Sequence, residues 1–151
     1  MKEELIAPCG MNCGICLAYL REKRNCPGCR GDDTSKSVSC LSCIIKNCEV
    51  IKTNKSGFCF ECAEYPCHHY NRLKELSSQR PHLRLQPREL ERVKELGEQR
   101  WLEHQKKRWS CPECGQMFAW YDEKCSECGA KVKSSVDEVT ELGLTDYPLD
   151  I

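Results

Sequence analysis

The chain has 151 residues, of which 15 are cysteine, and its 23 basic and 23 acidic side chains give a formal net charge of 0. Roughly one cysteine in ten residues is typical of a fold built on cross-links or metal ions. The balanced charge argues against a protein whose whole surface binds nucleic acid. The sequence contains no apolar signal segment and no run of 18 apolar residues, so we expect a cytoplasmic protein with no membrane partner.

Metal ions explain the cysteines better than disulfides do. Disulfides are rare in the reducing cytoplasm, and an odd number of cysteines cannot pair completely within one chain. We therefore predict that the cysteines are metal ligands.

Cysteine spacing and charge divide the chain into four segments. Residues 68–110 carry 11 basic and 6 acidic side chains, whereas residues 111–151 carry 3 and 9. The predicted segments are a cysteine-rich metal-binding module at 1–76, a connector and long basic helix at 77–110, a zinc ribbon at 111–133 and an acidic tail at 134–151.

Eleven cysteines lie in the first 67 residues, where apolar side chains are too few for a self-sufficient core. Cysteines at i and i+3 can both reach one tetrahedral ion, and the segment contains four such pairs. Asn12 is the predicted cap of a helix that carries the first pair. The predicted ligands of this module are Cys9, Cys13, Cys16, Cys26, Cys29, Cys40, Cys43, Cys48, Cys59, Cys62 and Cys67.

Long helical patterns occur only between residues 66 and 110. Pro66 is predicted to begin one helix, and Pro87 to begin a second that continues to Trp109. Trp101 and Trp109 are predicted to pack against the flanking metal modules. Gly97 lies inside the second pattern, where glycine is unfavourable, and indicates a kink or a close contact.

Two motifs, CPECG and CSECG, lie near the C-terminal end, with ten residues between the second and third cysteines. Their glycines permit the positive φ of a tight turn, and their four sulfurs can surround one ion. The pattern predicts a zinc ribbon with an aromatic hairpin, and its ligands are Cys111, Cys114, Cys125 and Cys128. A rubredoxin-like iron centre uses the same ligands, so zinc and iron remain alternatives.

Ser135 and Glu138 stand in capping-box positions and predict a short helix in the acidic tail. The tail carries five carboxylates and no base. Docking on the basic helix and a loose chain end remain alternatives.

Together these elements predict a small α+β, metal-stabilised fold. It consists of a cysteine-rich N-terminal module with short helices, a long connecting helix and a C-terminal zinc ribbon hairpin.

The series of motifs resembles the DUF3795 family of cysteine-rich metal-binding proteins of bacteria and archaea. The resemblance rests on CGMNCGICLAYL, CPGCRG, CIIKNC and FCFECAEYPC, followed by WLEHQKKRWSCPECG and AWYDEKCSECG, and spans most of residues 7–129. It implies several metal sites and supplies no substrate or catalytic residue.

An enzyme is the less favoured class. Cys9, Cys13 and Cys16 have the spacing of a radical-SAM cluster, but the chain is too short for the barrel that such enzymes need. Iron–sulfur electron transfer remains an alternative to zinc. His82 and His104 lie among charged residues and are predicted to be solvated rather than catalytic.

Nucleic-acid binding is a weaker alternative to a protein partner. Arg100, Lys106, Lys107 and Arg108 lie near Trp109, so phosphate contacts beside a stacking aromatic are conceivable. Acidic residues alternate along the same helix and favour an ordinary solvated helix end.

The number of donors predicts one histidine ligand. Four closed tetrahedral sites need sixteen donors, and the chain has fifteen cysteines. His68 and His69 directly follow Cys67, so one of them is the predicted sixteenth donor, unless a cysteine bridges two ions or stays free. The predicted function is thus a structural binding or assembly module holding about four zinc ions, with an unidentified protein partner.

Overall fold

Helices make up all the regular structure in the described part of the chain, residues 1–144 without the side chain of Lys74, as seen in a computed structural model. The α-helices are α1 Leu17–Leu20, α2 Val38–Leu41, α3 Glu49–Thr53, α4 His68–Ser77, α5 Gln86–Leu96, α6 Glu98–Arg108 and α7 Ser135–Glu141. Short 3-10 helices occupy Glu3–Leu5, Cys13–Ile15, Cys59–Glu61 and Pro81–Leu85. No helix within this range is long and apolar enough to cross a membrane.

The predicted α+β class is wrong, because residues 1–144 contain no β-strand, and the zinc ribbon hairpin is absent with it. Only isolated bridges form in the C-terminal region, between Ser110 and Met117 and between Lys124 and Lys131. The ten residues between the cysteine pairs complete one tight turn and form another, in which the Asp122 amide donates to the Ala119 carbonyl at 3.1 Å. These turns leave too few residues for paired strands of ordinary length.

The predicted long connecting helix is also wrong, since Gly97 divides it into α5 and α6. Gly97 has φ 78° and ψ 160°, which no helical residue adopts. Trp101 Nε1 lies 2.9 Å from Glu89 Oε2, twelve residues earlier. A continuous helix would separate these residues by about 18 Å along its axis. The two helices therefore fold back on each other as a hairpin.

A buried carboxylate holds the hairpin closed. Glu89 on α5 is 9% exposed and accepts hydrogen bonds from Trp101 Nε1 at 2.9 Å and from Gln105 Nε2 at 2.7 Å. Arg92 pairs with its other oxygen at 3.3 Å. Hydrogen bonds to a charged group are stronger than neutral ones, so this carboxylate is a strong link between α5 and α6.

Gln105 extends this network to the N-terminal block and to the end of α6. Its Oε1 accepts from Asn12 Nδ2 at 3.0 Å and from Trp109 Nε1 at 3.1 Å. Asn12 belongs to the N-terminal block, and Trp109 caps the end of α6 two residues before Cys111. The Trp109 carbonyl accepts from the Phe118 amide at 3.1 Å, so the hairpin is hydrogen-bonded to both cysteine-rich regions.

Two apolar clusters flank the hairpin. The larger contains Trp101, Leu90 and Phe58 together with buried N-terminal cysteines. The smaller surrounds Trp109 and Phe118 and includes Ile15 from the N-terminal block. Trp101 is 0% and Trp109 3% exposed, so the prediction that both tryptophans pack against the cysteine-rich regions is confirmed.

The start of the acidic tail docks on the hairpin. The predicted short helix is present as α7, but its capping box uses Ser134 and Asp137, one residue earlier than predicted. Glu138 pairs with Arg108 Nε at 2.9 Å, so the docked alternative is correct for this helix. The last seven residues of the predicted tail, 145–151, lie outside the described part of the chain.

His82 is buried where the 3-10 helix Pro81–Leu85 meets the C-terminal region, so its predicted solvated position is wrong. Its ring stacks on Trp120 with centroids 4.0 Å apart, and its Nδ1 contacts the Tyr121 hydroxyl. Burial, aided by the charge of Arg80, lowers the pKa of His82 to about 4. The folded protein therefore keeps this imidazole neutral.

We predict that Gly10→Ala destabilises the fold more than Gly97→Ala. Both glycines have positive φ, 87° and 78°, so alanine at either costs on the order of 1–3 kcal/mol in backbone strain. A Cβ at Gly10 would also lie 2.7 Å from Leu90 Cβ and 2.8 Å from Leu90 N, whereas nothing lies within 4 Å at Gly97. Urea unfolding should show a loss of about 3 kcal/mol or more for Gly10→Ala. Equal losses for the two variants would contradict this packing.

We also predict a stability loss in acid that depends on His82. Between pH 6.5 and about 4 the unfolded chain binds a proton at His82 and the folded chain does not, so unfolding becomes easier as the pH falls. From pH 7 to 5.5, with zinc kept saturating, wild type should lose about 1 kcal/mol more unfolding free energy than His82→Asn. The exposed His104→Asn control should follow wild type, and a wild-type pH response from His82→Asn would refute the assignment.

Candidate metal centres

Four cysteines near the C-terminal end form a cluster of the size that a metal ion requires. The sulfur atoms of Cys111, Cys114, Cys125 and Cys128 all lie within 4.8 Å of one another. The Sγ atoms of Cys111 and Cys128 are 3.6 Å apart, and those of Cys114 and Cys125 are 3.5 Å apart. Four sulfurs at the zinc–sulfur distance and tetrahedral angles are separated by about 3.8 Å. This cluster therefore fits a tetrahedral ion.

Two equivalent turns build the cluster. In each, the amide of the motif's glycine donates to the carbonyl of the first cysteine at 2.9 Å, as Gly115 does to Cys111 and Gly129 to Cys125. The glycines have φ 77° and 73°, which confirms the positive φ predicted from the sequence. Because these turns are local, the motif alone determines the direction of its sulfurs.

Two thiols of this cluster, Cys125 and Cys114, differ in acidity. The backbone amides of Cys128 and Glu127 lower the pKa of Cys125 to about 7. At Cys114 the Gln116 amide favours the thiolate, but desolvation and the adjoining sulfurs outweigh it and raise the pKa to about 12. A divalent cation would favour the thiolate form of all four.

The cluster is half exposed. Cys111 and Cys125 are each 3% exposed, whereas Cys114 and Cys128 lie on the surface. One side of the cluster thus packs on Phe118 and Trp109, and the other faces solvent.

The eleven N-terminal cysteines are arranged differently. All fifteen cysteines of the chain are free thiols. Within residues 1–144, the C-terminal cluster is the one group of three or more cysteine, histidine or acidic ligand atoms mutually within 4.8 Å. The structure therefore places the N-terminal cysteines near one another, but no three of their sulfur atoms lie mutually within 4.8 Å.

Electrostatic contacts show which N-terminal thiols are neighbours. Burial raises the pKa of Cys16, and the nearby thiols Cys26 and Cys40 add to the effect. The hydrogen bond with Cys13, together with burial, raises the pKa of Cys29. Because Cys26 and Cys29 have different neighbours, a Cys-x-x-Cys pair does not by itself define a site here.

Cys59 is close to thiols of two different groups, one that contains Cys67 and one that contains Cys9. Burial raises its pKa to about 12, and Cys67, Cys48 and Cys62 add to the rise. Burial likewise raises the pKa of Cys9 well above its ordinary value, with contributions from Cys29, Cys59 and Cys43. Such buried thiols stay protonated unless a cation compensates the charge.

The predicted helix over the first cysteine pair is interrupted. Asn12 does cap it, accepting from the Gly14 amide at 2.9 Å, but only the 3-10 helix Cys13–Ile15 follows. Cys16 then takes an extended conformation before α1 begins. Cys13 and Cys16 therefore do not share one helix face.

Two basic residues that the sequence analysis did not select support the N-terminal cysteines. The ammonium of Lys36 is buried and donates to the Cys29 carbonyl at 3.0 Å and to Asp33 at 2.9 Å. Arg30, next to Cys29, donates to the carbonyls of Ile6 and Gly57 at 2.8 and 3.0 Å. Lysine and arginine are too common on surfaces for their sequence positions to reveal these contacts.

The two candidate histidine ligands begin α4 immediately after Cys67. His68 is exposed and His69 half-buried, with ring centroids 3.8 Å apart. The other exposed histidine, His104, contacts Arg92 at 3.1 Å and is solvated as predicted.

Comparisons with known proteins bear on the N-terminal block. No curated protein and no solved structure matches the chain. A family model does match residues 5–72, which is just under half of the chain. The resemblance drawn from the motifs extended to residue 129, so its C-terminal part lies outside this match. Residues 5–72 thus match the family described as protein of unknown function (DUF3795), and that match supports the family for the cysteine-rich N-terminal block.

Proposed function

We propose that this is a multi-site zinc protein whose ions are structural and whose role is binding or assembly. The observation that carries the proposal is the C-terminal cluster, with sulfur separations of 3.5 and 3.6 Å. When bound, zinc would supply a closed tetrahedral centre that stabilises four thiolates without redox chemistry. Cys111, Cys114, Cys125 and Cys128 would hold it.

The N-terminal cysteines would hold three further ions. The neighbours of Cys16 and of Cys9 are accommodated if one ion takes Cys13, Cys16, Cys26 and Cys40, and a second takes Cys9, Cys29, Cys43 and Cys59. The hydrogen bond between Cys13 and Cys29 would then join the first site to the second, and Cys59 would join the second to the third. The third would take Cys48, Cys62, Cys67 and one histidine, for which the half-buried His69 is the better candidate. This arrangement gives each ion four donors.

A protein partner is the favoured class of binding target. Val38 is 80% and Leu17 69% exposed, and these apolar side chains lie on helices within the cysteine-rich block. A contiguous patch of exposed apolar side chains is typical of a contact surface. Nucleic-acid binding through the end of α6 has less support, because Trp109 is buried and Arg108 pairs with Glu138.

Electron transfer is the second candidate, and one observation favours it. Cys114 and Cys128 are exposed, and an iron centre with two exposed sulfurs could exchange electrons at the surface. The ligand set is the same for both metals.

Metal content decides between these functions. Protein purified without oxygen should be colourless and contain about four zinc ions per chain, measured by elemental analysis and visible absorption. Cys114→Ser should lose about one ion and leave the others in place. Red or brown protein containing iron would refute the zinc proposal and establish the electron-transfer alternative.

Histidine variants test whether His69 is the sixteenth metal ligand. His69→Ala should lose about one zinc ion or bind it much more weakly, whereas the matched variant His68→Ala should keep the wild-type content. Retention of all zinc by both variants would exclude a histidine ligand. In that case Cys59 would complete the set of Cys48, Cys62 and Cys67, and the donor set around Cys9 would be one short.

A further inference from the structure

The solvent-facing side of the C-terminal cluster carries the most accessible thiols of the chain. All fifteen cysteines lie within the described residues, and Cys114 and Cys128 are the two that are exposed. Each of the other cysteines is buried or half-buried. Oxidation of cysteine follows solvent exposure and thiolate character, and metal binding supplies the thiolate. A dissolved oxidant would therefore react first at these two sulfur atoms.

Each exposed sulfur atom of the cluster lies next to a buried one. The Sγ atom of Cys114 is 3.5 Å from that of Cys125, and the Sγ atom of Cys128 is 3.6 Å from that of Cys111. Cys125 and Cys111 are each 3% exposed. An accessible thiol beside a second thiol that can displace its oxidised form is typical of oxidation-sensitive cysteines. The cluster contains this arrangement twice.

Both of these close pairs join residues of different motifs. Cys111 and Cys114 belong to CPECG, and Cys125 and Cys128 belong to CSECG. A disulfide bond is about 2.05 Å long, so the two sulfur atoms of each pair need to approach by about 1.5 Å. Disulfides in these pairs would connect the two turns to each other in place of the ion.

From these observations we propose that the C-terminal cluster is an oxidation site, at which a small peroxide replaces the metal ion by two disulfides. The disulfides are Cys114–Cys125 and Cys111–Cys128. Cys114 and Cys128 react with the peroxide, and their buried neighbours complete the two bonds. This inference rests on the proposed zinc site at the same four cysteines.

The reaction balances with one molecule of hydrogen peroxide for each disulfide. The Cys114 thiolate attacks a peroxide oxygen, the O–O bond breaks, hydroxide leaves and the sulfur becomes a sulfenic acid. The Cys125 thiolate then attacks that sulfur, the S–O bond breaks and a second hydroxide leaves as the disulfide forms. The two thiolates lose two electrons, which the peroxide gains. Cys128 and Cys111 react in the same way, and the divalent ion is released because no thiolate remains to hold it.

The N-terminal cysteines provide a comparison within the same chain. None of the eleven is exposed, and no three of their sulfur atoms lie mutually within 4.8 Å. A peroxide therefore finds neither an accessible sulfur nor a compact cluster of thiols in this block. We expect the N-terminal ions to stay bound while the C-terminal cluster is oxidised.

Peroxide titration of the full-length protein tests the exchange. Elemental analysis comes first, because protein without zinc would overturn the proposed function and the exchange with it. Two equivalents of hydrogen peroxide added to zinc-loaded protein should release about one zinc ion per chain, measured with a chromophoric chelator, and the other ions should stay bound. Zinc-loaded protein that releases no ion, or that loses ions from both cysteine-rich regions alike, would overturn the oxidation site and leave the zinc proposal intact.

Peptide mapping identifies the sulfur atoms that pair. Trypsin cleaves after Lys124, so disulfides between the motifs should join the peptides 109–124 and 125–131, whereas disulfides within a motif leave these peptides separate. Further cleavage after Glu113 and Glu127 separates the two cysteines of each motif. The products should contain Cys114 joined to Cys125 and Cys111 joined to Cys128, and any other pairing contradicts the proposal.

Trapping of the sulfenic acid tests where the peroxide attacks. With dimedone present during the oxidation, mass spectrometry should find the label on Cys114 and Cys128 at least about tenfold more often than on Cys111 and Cys125. The same glutamyl cleavage distinguishes the four positions. Equal labelling of the exposed and buried cysteines would show that exposure does not direct the reaction, and would refute the assigned roles.

Discussion

The carboxamide of Gln105 is the group on which the arrangement of the chain depends. It is 5% exposed and hydrogen-bonds with Asn12 of the N-terminal block, with Glu89 of α5 and with Trp109 at the end of α6. An amide can serve all three because it carries both a donor and an acceptor with two lone pairs. An apolar side chain in its place would leave the Trp109 indole N–H unsatisfied and would remove one of the three groups that hold the Glu89 carboxylate.

Neither cysteine-rich region has enough large apolar side chains to form a core without the hairpin. The N-terminal block has few large apolar residues, and its buried cysteines share one cluster with Trp101 and Leu90 of the hairpin. The C-terminal region contributes Phe118 and Val132, which bury Trp109 and Ile15. Each region thus lacks a core of its own size, and the hairpin supplies the missing apolar surface to both.

The turns of the C-terminal cysteine motifs were predictable from the sequence, whereas the reversal at Gly97 and the burial of His82 depend on distant partners and were not. The turns at Cys111 and Cys125 are set by five-residue motifs, so their geometry was predicted correctly. Gly97 was recognised as a weak point, but a helical pattern does not show whether a glycine bends a helix or reverses it. The reversal of the chain depends on the hydrogen bond from Trp101 to Glu89. The burial of His82 was missed because its stacking partner, Trp120, is 38 residues away, and the sorting of the N-terminal thiols depends on contacts of the same kind.

The contact between Asn12 and Gln105 also has a consequence for biosynthesis. It joins residues 93 positions apart, so the N-terminal block cannot dock on α6 until most of the chain has left the ribosome. Domains begin to fold during synthesis, N-terminal parts first. Eleven N-terminal thiols would therefore remain accessible to oxidants and to competing metals throughout translation. For this chain, the segment that contains eleven of the fifteen cysteines is also the segment that is exposed for the longest time during synthesis.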